Sequence, residues 1–259
     1  MVEAWAEKRV VISPDPSTLA DSVAARFLSR VAKRTGEGKL AHISLTGGSM
    51  GAAVLEAAAR HPRIDRIDWS FVHFWWSDER FLPAADEERN EKQARTALLD
   101  AIDVPTANIH AIAADGQSAD ADSAASEYAA ELARYPGPDG PWPAFDVCFL
   151  GVGPDAHIAS LFPDRPEIQI KDRSVVPVHD SPKPPAERVT MTRPVINGSK
   201  RVWMVVSGAD KASALGLALA GASYASVPAA GAKGRKRTIF FVDEAAASQV
   251  PPELIDREY

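Results

Sequence analysis

The sequence predicts an α/β fold, with a mostly parallel, twisted sheet that carries helices on both faces. Short runs of β-branched and aromatic residues alternate along the chain with longer segments in which apolar residues recur at helical spacing. Proline and glycine stand at most boundaries between these segments. With 259 residues, 46% of them hydrophobic, the chain can bury a large core. We therefore expect one domain over residues 1–259, with a small subdomain around 170–200.

The first half of the chain is predicted to alternate between strands and helices. Pro14 and Pro16 end the first strand, and Ser17 is a suitable N-cap for the helix that follows. Gly36 and Gly38 stop that helix. The predicted strands cover residues 10–12, 42–45 and 69–76, and the predicted helices cover 17–34, 50–60, 90–99 and 123–133.

The second half begins after a loop rich in proline and glycine at 136–143. A proline-rich turn at 181–185 separates two short strands. The predicted strands cover 145–150, 175–178, 189–192, 202–206 and 239–242, and one helix covers 211–220. Because strands that alternate with helices are joined by right-handed parallel crossovers, we expect a mostly parallel sheet that helices cover on both faces.

Composition restricts the classes of function. The formal net charge is −6, which disfavours binding to nucleic acid or to anionic membranes. The single cysteine, Cys148, allows no internal disulfide and lies in an apolar run, as expected of a buried thiol in a reducing cytosol. The first nine residues lack the apolar region of a signal peptide, and no stretch is apolar enough to span a membrane. We expect a cytoplasmic protein that is a monomer or a weak homodimer.

Four polar or glycine-rich segments each follow a predicted strand directly. They cover residues 46–49, 77–80, 151–157 and 207–211. In open parallel sheets, ligands bind outside the carboxyl ends of the strands, so we expect these segments to meet around one ligand. Their glycines, cations, carboxylates and single histidine suit a small anionic metabolite.

The first two segments, with Lys211 of the fourth, are candidates for binding a phosphate. Gly47, Gly48 and Ser49 precede a helix, whose free N–H groups and dipole attract anions. Arg80 and Lys211 can supply positive charge. The neighbouring carboxylates at 78 and 79 are expected to organise the loop around Arg80, because adjacent strand residues point to opposite faces. A basic run at 233–237 is either a solvated loop or an attractor of anionic substrate.

His157 is the candidate general base, with Asp155 two residues before it to orient the imidazole. The glycines of the same segment match a dinucleotide-binding pattern, but Pro163 cuts short the helix that such a site requires. The other five histidines show no metal-ligand spacing, so we expect no catalytic metal.

At these positions the sequence resembles the 6-phosphogluconolactonase family, over about residues 40–247. The similar segments are Leu45-Thr46-Gly47-Gly48-Ser49, Ser77-Asp78-Glu79-Arg80-Phe81, Leu150-Gly151-Val152-Gly153-Pro154-Asp155 with His157, Ala159-Ser160-Leu161-Phe162-Pro163, Arg188-Val189-Thr190-Met191-Thr192 and Gly208-Ala209-Asp210-Lys211. Any one segment is weak, but five or more in order are specific.

The resemblance implies a Rossmann-like fold of the sugar-phosphate isomerase type, no cofactor, and hydrolysis of 6-phospho-D-glucono-1,5-lactone in the oxidative pentose phosphate pathway. The implied small-molecule partner is thus a sugar-phosphate lactone. His157 matches the family's catalytic histidine, with Asp155 beside it. The implied substrate and phosphate positions are Gly47, Gly48, Ser49, Arg80, Gly153 and Lys211, with Lys183 and Arg188 in a matching segment.

Two alternatives stay open. Glucosamine-6-phosphate deaminase/isomerase is a related family, and Ile158 favours it. However, its Asn-Glu-Pro stretch, which carries a needed acid, is replaced here by Ser160-Leu161-Phe162-Pro163. The second alternative is a catalytically weak sugar-phosphate-binding module, favoured by Ala156, where the family usually has glycine.

Replacing Ala156 with glycine tests the effect of that departure. If residue 156 has a positive φ, alanine costs about 1 kcal/mol of strain or shifts the loop that carries His157. We therefore expect Ala156→Gly to leave kcat equal or higher, measured by lactone hydrolysis. A large loss of kcat would contradict the view that Ala156 is a compromise.

Overall fold

The computed structural model describes residues 8–256, so most of the N-terminal segment considered as a signal peptide lies outside the described residues. The strands are β1 (Lys8–Ser13), β2 (Ala41–Leu45), β3 (Val72–Trp76), β4 (Asp78–Arg80), β5 (Val147–Gly151), β6 (Val175–Val178), β7 (Arg188–Met191), β8 (Arg201–Val206) and β9 (Arg237–Asp243). The helices are α1 (Pro16–Gly36), α2 (Gly48–Arg60), α3 (Asn90–Ala97), α4 (Ala121–Ala133), α5 (Arg193–Asn197), α6 (Ala212–Leu219) and α7 (Pro228–Gly231).

Six strands form one parallel sheet in the order β1-β9-β8-β5-β2-β3, which confirms the predicted fold class. Its central strands are buried along nearly their whole length, as expected of a sheet covered on both faces. Helix α1 supports it with an apolar stripe at helical spacing that includes Leu19, Val23 and Phe27, all buried. None of the helices within residues 8–256 is long and apolar enough to cross a bilayer.

A second, antiparallel sheet has the order β4-β7-β6. Strand β4 was not predicted, because its three residues, Asp78–Arg80, form a strand only by pairing with β7 more than a hundred residues later. Two strands of this sheet come from the stretch around 170–200, where a subdomain stays a prediction.

Two predicted boundaries are wrong for local reasons. Asp15, not Ser17, caps α1, because its carboxylate accepts from the Thr18 N–H at 2.8 Å and Pro16 is pre-set for the first helical position. The stretch Trp69–Phe71 forms a 3₁₀ turn capped by Asp68, so the strand begins only at β3.

The order of the strands produces a switch point between β2 and β5. After β2 the chain leads to β3 on one side, and after β5 it leads to β8 on the other side. The loops at the two carboxyl ends therefore diverge and leave a crevice between them. The Gly151 N–H donates to the Thr46 hydroxyl at 3.3 Å and joins the two strand ends.

Cys148 is buried, as predicted, and burial raises the pKa of its thiol to about 12.

Three histidines pack together beside Trp75. His73 and His110 share a hydrogen bond of 2.9 Å, His110 contacts Glu131 at 2.8 Å, and Trp75 donates to His42 at 3.2 Å. This chain of contacts is satisfied when all three imidazoles are neutral.

These histidines predict a loss of stability in mild acid. Burial lowers the pKa of His42 to about 3 and the pKa of His73 to about 4, below the unfolded value of about 6.5. As pH falls below 6.5, the unfolded chain binds protons that the folded chain does not. The free energy of unfolding should fall by up to about 1.4 kcal/mol per pH unit for each histidine. Urea titrations at pH 7 and 5 measure this, and His73→Gln should show a shallower dependence. An unchanged slope in His73→Gln would contradict the assignment.

Candidate active site

A cleft lies at the carboxyl end of the main sheet, at the switch point. Three of the four predicted loops line it, through Thr46 to Gly48, through Asp78 and Arg80, and through Gly151 to Gly153 with His157. Strand β7 contributes Arg188 and helix α3 contributes Asn90. Loops that are distant in sequence therefore meet here, as we expected from their positions directly after strands.

The imidazole of His157 is held at one nitrogen. Its Nδ1 lies 2.6 Å from Oδ1 of Asp155, and its ring stacks on Phe162 with centroids 4.6 Å apart. A carboxylate at Nδ1 fixes that nitrogen as the protonated one. The unprotonated Nε2 is then the nitrogen available to accept a proton from a group in the cleft.

Lys183 joins this pair from the proline-rich loop. Its ammonium lies 3.1 Å from Oδ1 of Asp155 and 3.4 Å from Nδ1 of His157. Burial alone would raise the pKa of Asp155, but contacts with His157 and Lys183 outweigh it and hold that pKa well below its usual range. Asp155 is therefore ionised at neutral pH and can stabilise an imidazolium.

The backbone of the loop sets the position of the histidine. A Cβ at Gly153 would lie 2.1 Å from Nδ1 of His157, so only glycine fits beneath the ring. Gly153 N–H donates to the His157 carbonyl at 3.0 Å, and Ala156 N–H donates to the Gly153 carbonyl at 2.9 Å. Ala156 has a φ of 66°, in the left-handed region, so this residue has the positive φ at which alanine is expected to cost strain.

Two arginines lie opposite each other on adjacent strands of the small sheet. Arg80 of β4 and Arg188 of β7 are register partners in the antiparallel ladder, and both line the cleft. Such partners point to the same face of a sheet. Arg80 donates to the carbonyl of Glu88 at 2.5 Å, and Arg188 to that of Pro184 at 2.8 Å. Both guanidinium groups thus bond neutral oxygens and keep their charge available to an anion.

Arg188 also connects the cleft to the loop that carries Lys183. Its guanidinium donates to the carbonyls of Lys183 at 3.2 Å, Pro184 and Pro185, and lies 3.4 Å from the Ser160 hydroxyl. Ser160 in turn donates to Asp78 at 2.8 Å. Burial lowers the pKa of Arg188, the Asp78 charge opposes this, and the nearby Arg80 adds to the lowering.

The pair of acids at 78 and 79 organises the site, as predicted. The Glu79 carboxylate accepts from the N–H groups of Arg80, Asn90 and Glu91 at 2.7 to 2.8 Å. Burial raises the pKa of Glu79 to about 7, against the lowering effect of Arg89 and of these N–H groups. Glu79 thereby fixes the start of α3 against the end of β4.

Asn90 is a residue of the cleft that sequence reasoning missed. Its Nδ2 donates to the Asp78 carbonyl at 2.9 Å, while its Oδ1 is buried and has no hydrogen-bond partner in the described part of the chain. A Cβ at Gly47 would lie 1.8 Å from that oxygen, so the glycine permits the close approach of Asn90. The signal was weak in the sequence, because Asn90 looked only like a helix start.

Four predicted residues are not among those that line this cleft. Asp155 and Lys183 both contact His157, which does line it, whereas Ser49 and Lys211 lie elsewhere. Ser49 is exposed in the first turn of α2. Lys211 follows β8 and pairs with Asp210 at 3.0 Å. The loop before it is fixed elsewhere, since Asp243 accepts from the Ser207 hydroxyl at 2.6 Å and from the Gly208 N–H at 3.1 Å. Contact of Ser49 and Lys211 with substrate stays a prediction.

Among residues 8–256, no three histidine, cysteine or acidic side chains are grouped so that they could hold a metal ion.

Comparison with known proteins identifies the family. A family model described as glucosamine-6-phosphate isomerases/6-phosphogluconolactonase matches residues 14–241. A 6-phosphogluconolactonase of Streptomyces coelicolor is 45% identical over 250 residues, covering 95% of this chain and 96% of that protein. The crystal structure of 6-phosphogluconolactonase from Thermotoga maritima is 26% identical with a TM-score of 0.79, covering 92% of this chain and 100% of that one. A monomeric glucosamine-6-phosphate deaminase, 17% identical with a TM-score of 0.75 over 93% of this chain and 99% of its own, shares the fold alone. The chain therefore belongs to the glucosamine-6-phosphate isomerase/6-phosphogluconolactonase family.

Proposed function

We propose that the chain hydrolyses 6-phospho-D-glucono-1,5-lactone to 6-phospho-D-gluconate, a step of the oxidative pentose phosphate pathway. The similar protein of Streptomyces coelicolor bears the name of that activity. The observation that carries the proposal is the presence of an oriented imidazole and two arginines in one cleft. That arrangement matches a substrate with an electrophilic carbonyl and a remote phosphate.

In the first step, Nε2 of His157 removes a proton from a water molecule as that water adds to C1 of the lactone. The product of this step is a tetrahedral oxyanion and an imidazolium. The ionised Asp155 stabilises the imidazolium through the 2.6 Å contact at Nδ1. General-base assistance of this kind contributes about 10²–10⁴-fold in rate.

In the second step, the tetrahedral intermediate collapses and the bond from C1 to the ring oxygen breaks. The imidazolium of His157 gives its proton to that oxygen, which becomes the new hydroxyl group. N–H groups of the glycine loops at the start of α2 stabilise the oxyanion in between. The enzyme returns to its starting protonation state, and the product carboxylic acid loses its proton to solvent.

The phosphate is held by Arg80 and Arg188, which are directly opposite each other. Guanidinium groups bind phosphate oxygens in a bidentate manner. Because the phosphate is remote from the breaking bond, its binding energy serves to position C1 against His157. Lys183 is a positioning residue, because its ammonium binds the Asp155 carboxylate. Arg188 shares that role, because its guanidinium binds the backbone carbonyl of Lys183.

The deaminase alternative loses one of its supports. Ile158, which favoured it in the sequence, is fully buried in the hydrophobic core and does not line the cleft. Its identity therefore reports on packing and not on the choice of substrate.

The experiment follows proton release from freshly made lactone in weak buffer, with the spontaneous hydrolysis subtracted. Wild type should accelerate the reaction, and His157→Ala should lose about 10²–10⁴-fold in kcat. His179→Ala is the matched control, because His179 is half-exposed and pairs with Glu187 and Asp122. An unchanged kcat in His157→Ala would refute the assigned base. No acceleration by wild type, together with measurable binding of 6-phosphogluconate, would favour the catalytically weak binding module.

A further inference from the structure

A second cleft, with a volume of about 310 Å³, lies at the opposite end of the main sheet. Its cationic lining residues are Arg30, Lys33, Arg34, Lys200, Arg201 and Lys236, and we call it the basic cleft. Within residues 8–256, two carboxylates, those of Glu37 and Asp146, line it as well. This is a strong local excess of positive charge in a chain whose net charge is −6.

The location follows from the order of the elements. Asp146 directly precedes β5, Lys200 precedes β8 and Lys236 precedes β9, so these residues lie at the amino ends of the parallel strands. The arginines at 30 and 34 and the lysine at 33 come from the last turns of α1. Part of the basic run at 233–237 is thus placed here and not at the active site.

The two carboxylates are already engaged. Asp146 accepts from Lys200 at 2.7 Å and from the His42 N–H at 3.2 Å, and it lies 3.3 Å from Arg34. Glu37 binds Lys39 at 2.8 Å, a residue that does not line the basic cleft. Little negative charge from these two lining carboxylates therefore remains for Arg30, Lys33 and Lys236.

Three cations of the basic cleft, Arg30, Lys33 and Lys236, have no carboxylate at ion-pair distance among residues 8–256. Nε of Arg30 is buried and has no hydrogen-bond partner. The side chains of Lys33 and Lys236 form no hydrogen bond or ion pair with the part of the chain that the structure describes, and Lys33 acts on Glu37 only at longer range. Like charges held this close repel one another, and a bound anion would relieve that repulsion.

The lining chemistry selects the kind of anion. Guanidinium and ammonium groups from three separate segments surround the space, which suits several phosphate groups at once. No aromatic side chain lines the basic cleft within residues 8–256, so no aromatic ring there would stack on a base. Its volume lies at the lower end of the range of about 300–1,000 Å³ for small-molecule sites. We propose that the basic cleft binds a small oligophosphate.

The basic cleft is separate from the active site. Asp146 lines the basic cleft and directly precedes β5, and Gly151 lines the active site and ends β5. The five residue steps between them, at about 3.3 Å each, separate these two residues by roughly 16 Å. That distance exceeds the Debye length of about 8 Å at physiological salt, so the cations here do not steer substrate to His157.

Isothermal titration with inorganic tripolyphosphate tests the proposal. The Arg80→Gln protein is the background, because it weakens anion binding at the active site. We expect one site per chain, weakened at least about tenfold by adding Lys33→Gln and Lys236→Gln. Lys171→Gln with Arg173→Gln is the matched control, since both pairs are exposed and both remove two positive charges. That control should change the dissociation constant less than about twofold.

Three results would overturn the proposal. Equal weakening by both pairs would show that tripolyphosphate responds only to net charge. Binding to wild type that disappears in the Arg80→Gln background would place the anion in the active site. Orthophosphate should bind more weakly than tripolyphosphate, because it reaches fewer of the cations; equal affinity would also contradict an oligophosphate site.

Discussion

The site depends on two like charges that the fold holds opposite each other. Arg80 and Arg188 are register partners on β4 and β7, and like charges at such positions are destabilising. Other contacts offset the cost, above all the buried Glu79, which fixes the end of β4 by accepting three N–H bonds. A sheet that keeps such a pair at the mouth of a cleft is arranged for an anion between them. The phosphate of the substrate is the anion that our account places there.

The same arrangement extends to His157, the proposed base. Arg188 holds the backbone of the loop that presents Lys183, and Lys183 and His157 both contact Asp155. The imidazole also rests on a loop whose geometry admits no Cβ at Gly153. The proposed phosphate site and the proposed base therefore share one connected framework, and Ala156, with its left-handed backbone, is the strained point of that framework.

Positions after strands predicted most of the site. Gly47, Arg80, Gly153 and His157 meet because carboxyl ends of parallel strands share one edge. Three features depend on contacts between distant parts of the chain, which no local pattern reveals. They are strand β4, the hydrogen bond from Asn90 to the Asp78 carbonyl, and the hydrogen bond from Arg188 to the Lys183 carbonyl. The place of Lys236 in the basic cleft follows from its position directly before β9. Residues before parallel strands lie at the edge of the sheet opposite the active site.

The most direct measurement of the central claim is the thermal stability of Arg80→Gln with and without 6-phosphogluconate. Arg80→Gln removes one of two like charges at facing positions, so the free variant should be at least as stable as wild type. Wild type should gain about 2.7 kcal/mol at a ligand concentration of 100 times Kd, and the variant should lose most of that gain. Gluconate, which lacks the phosphate, should stabilise neither protein appreciably. A free variant that is much less stable than wild type, with its gain from 6-phosphogluconate intact, would contradict the account.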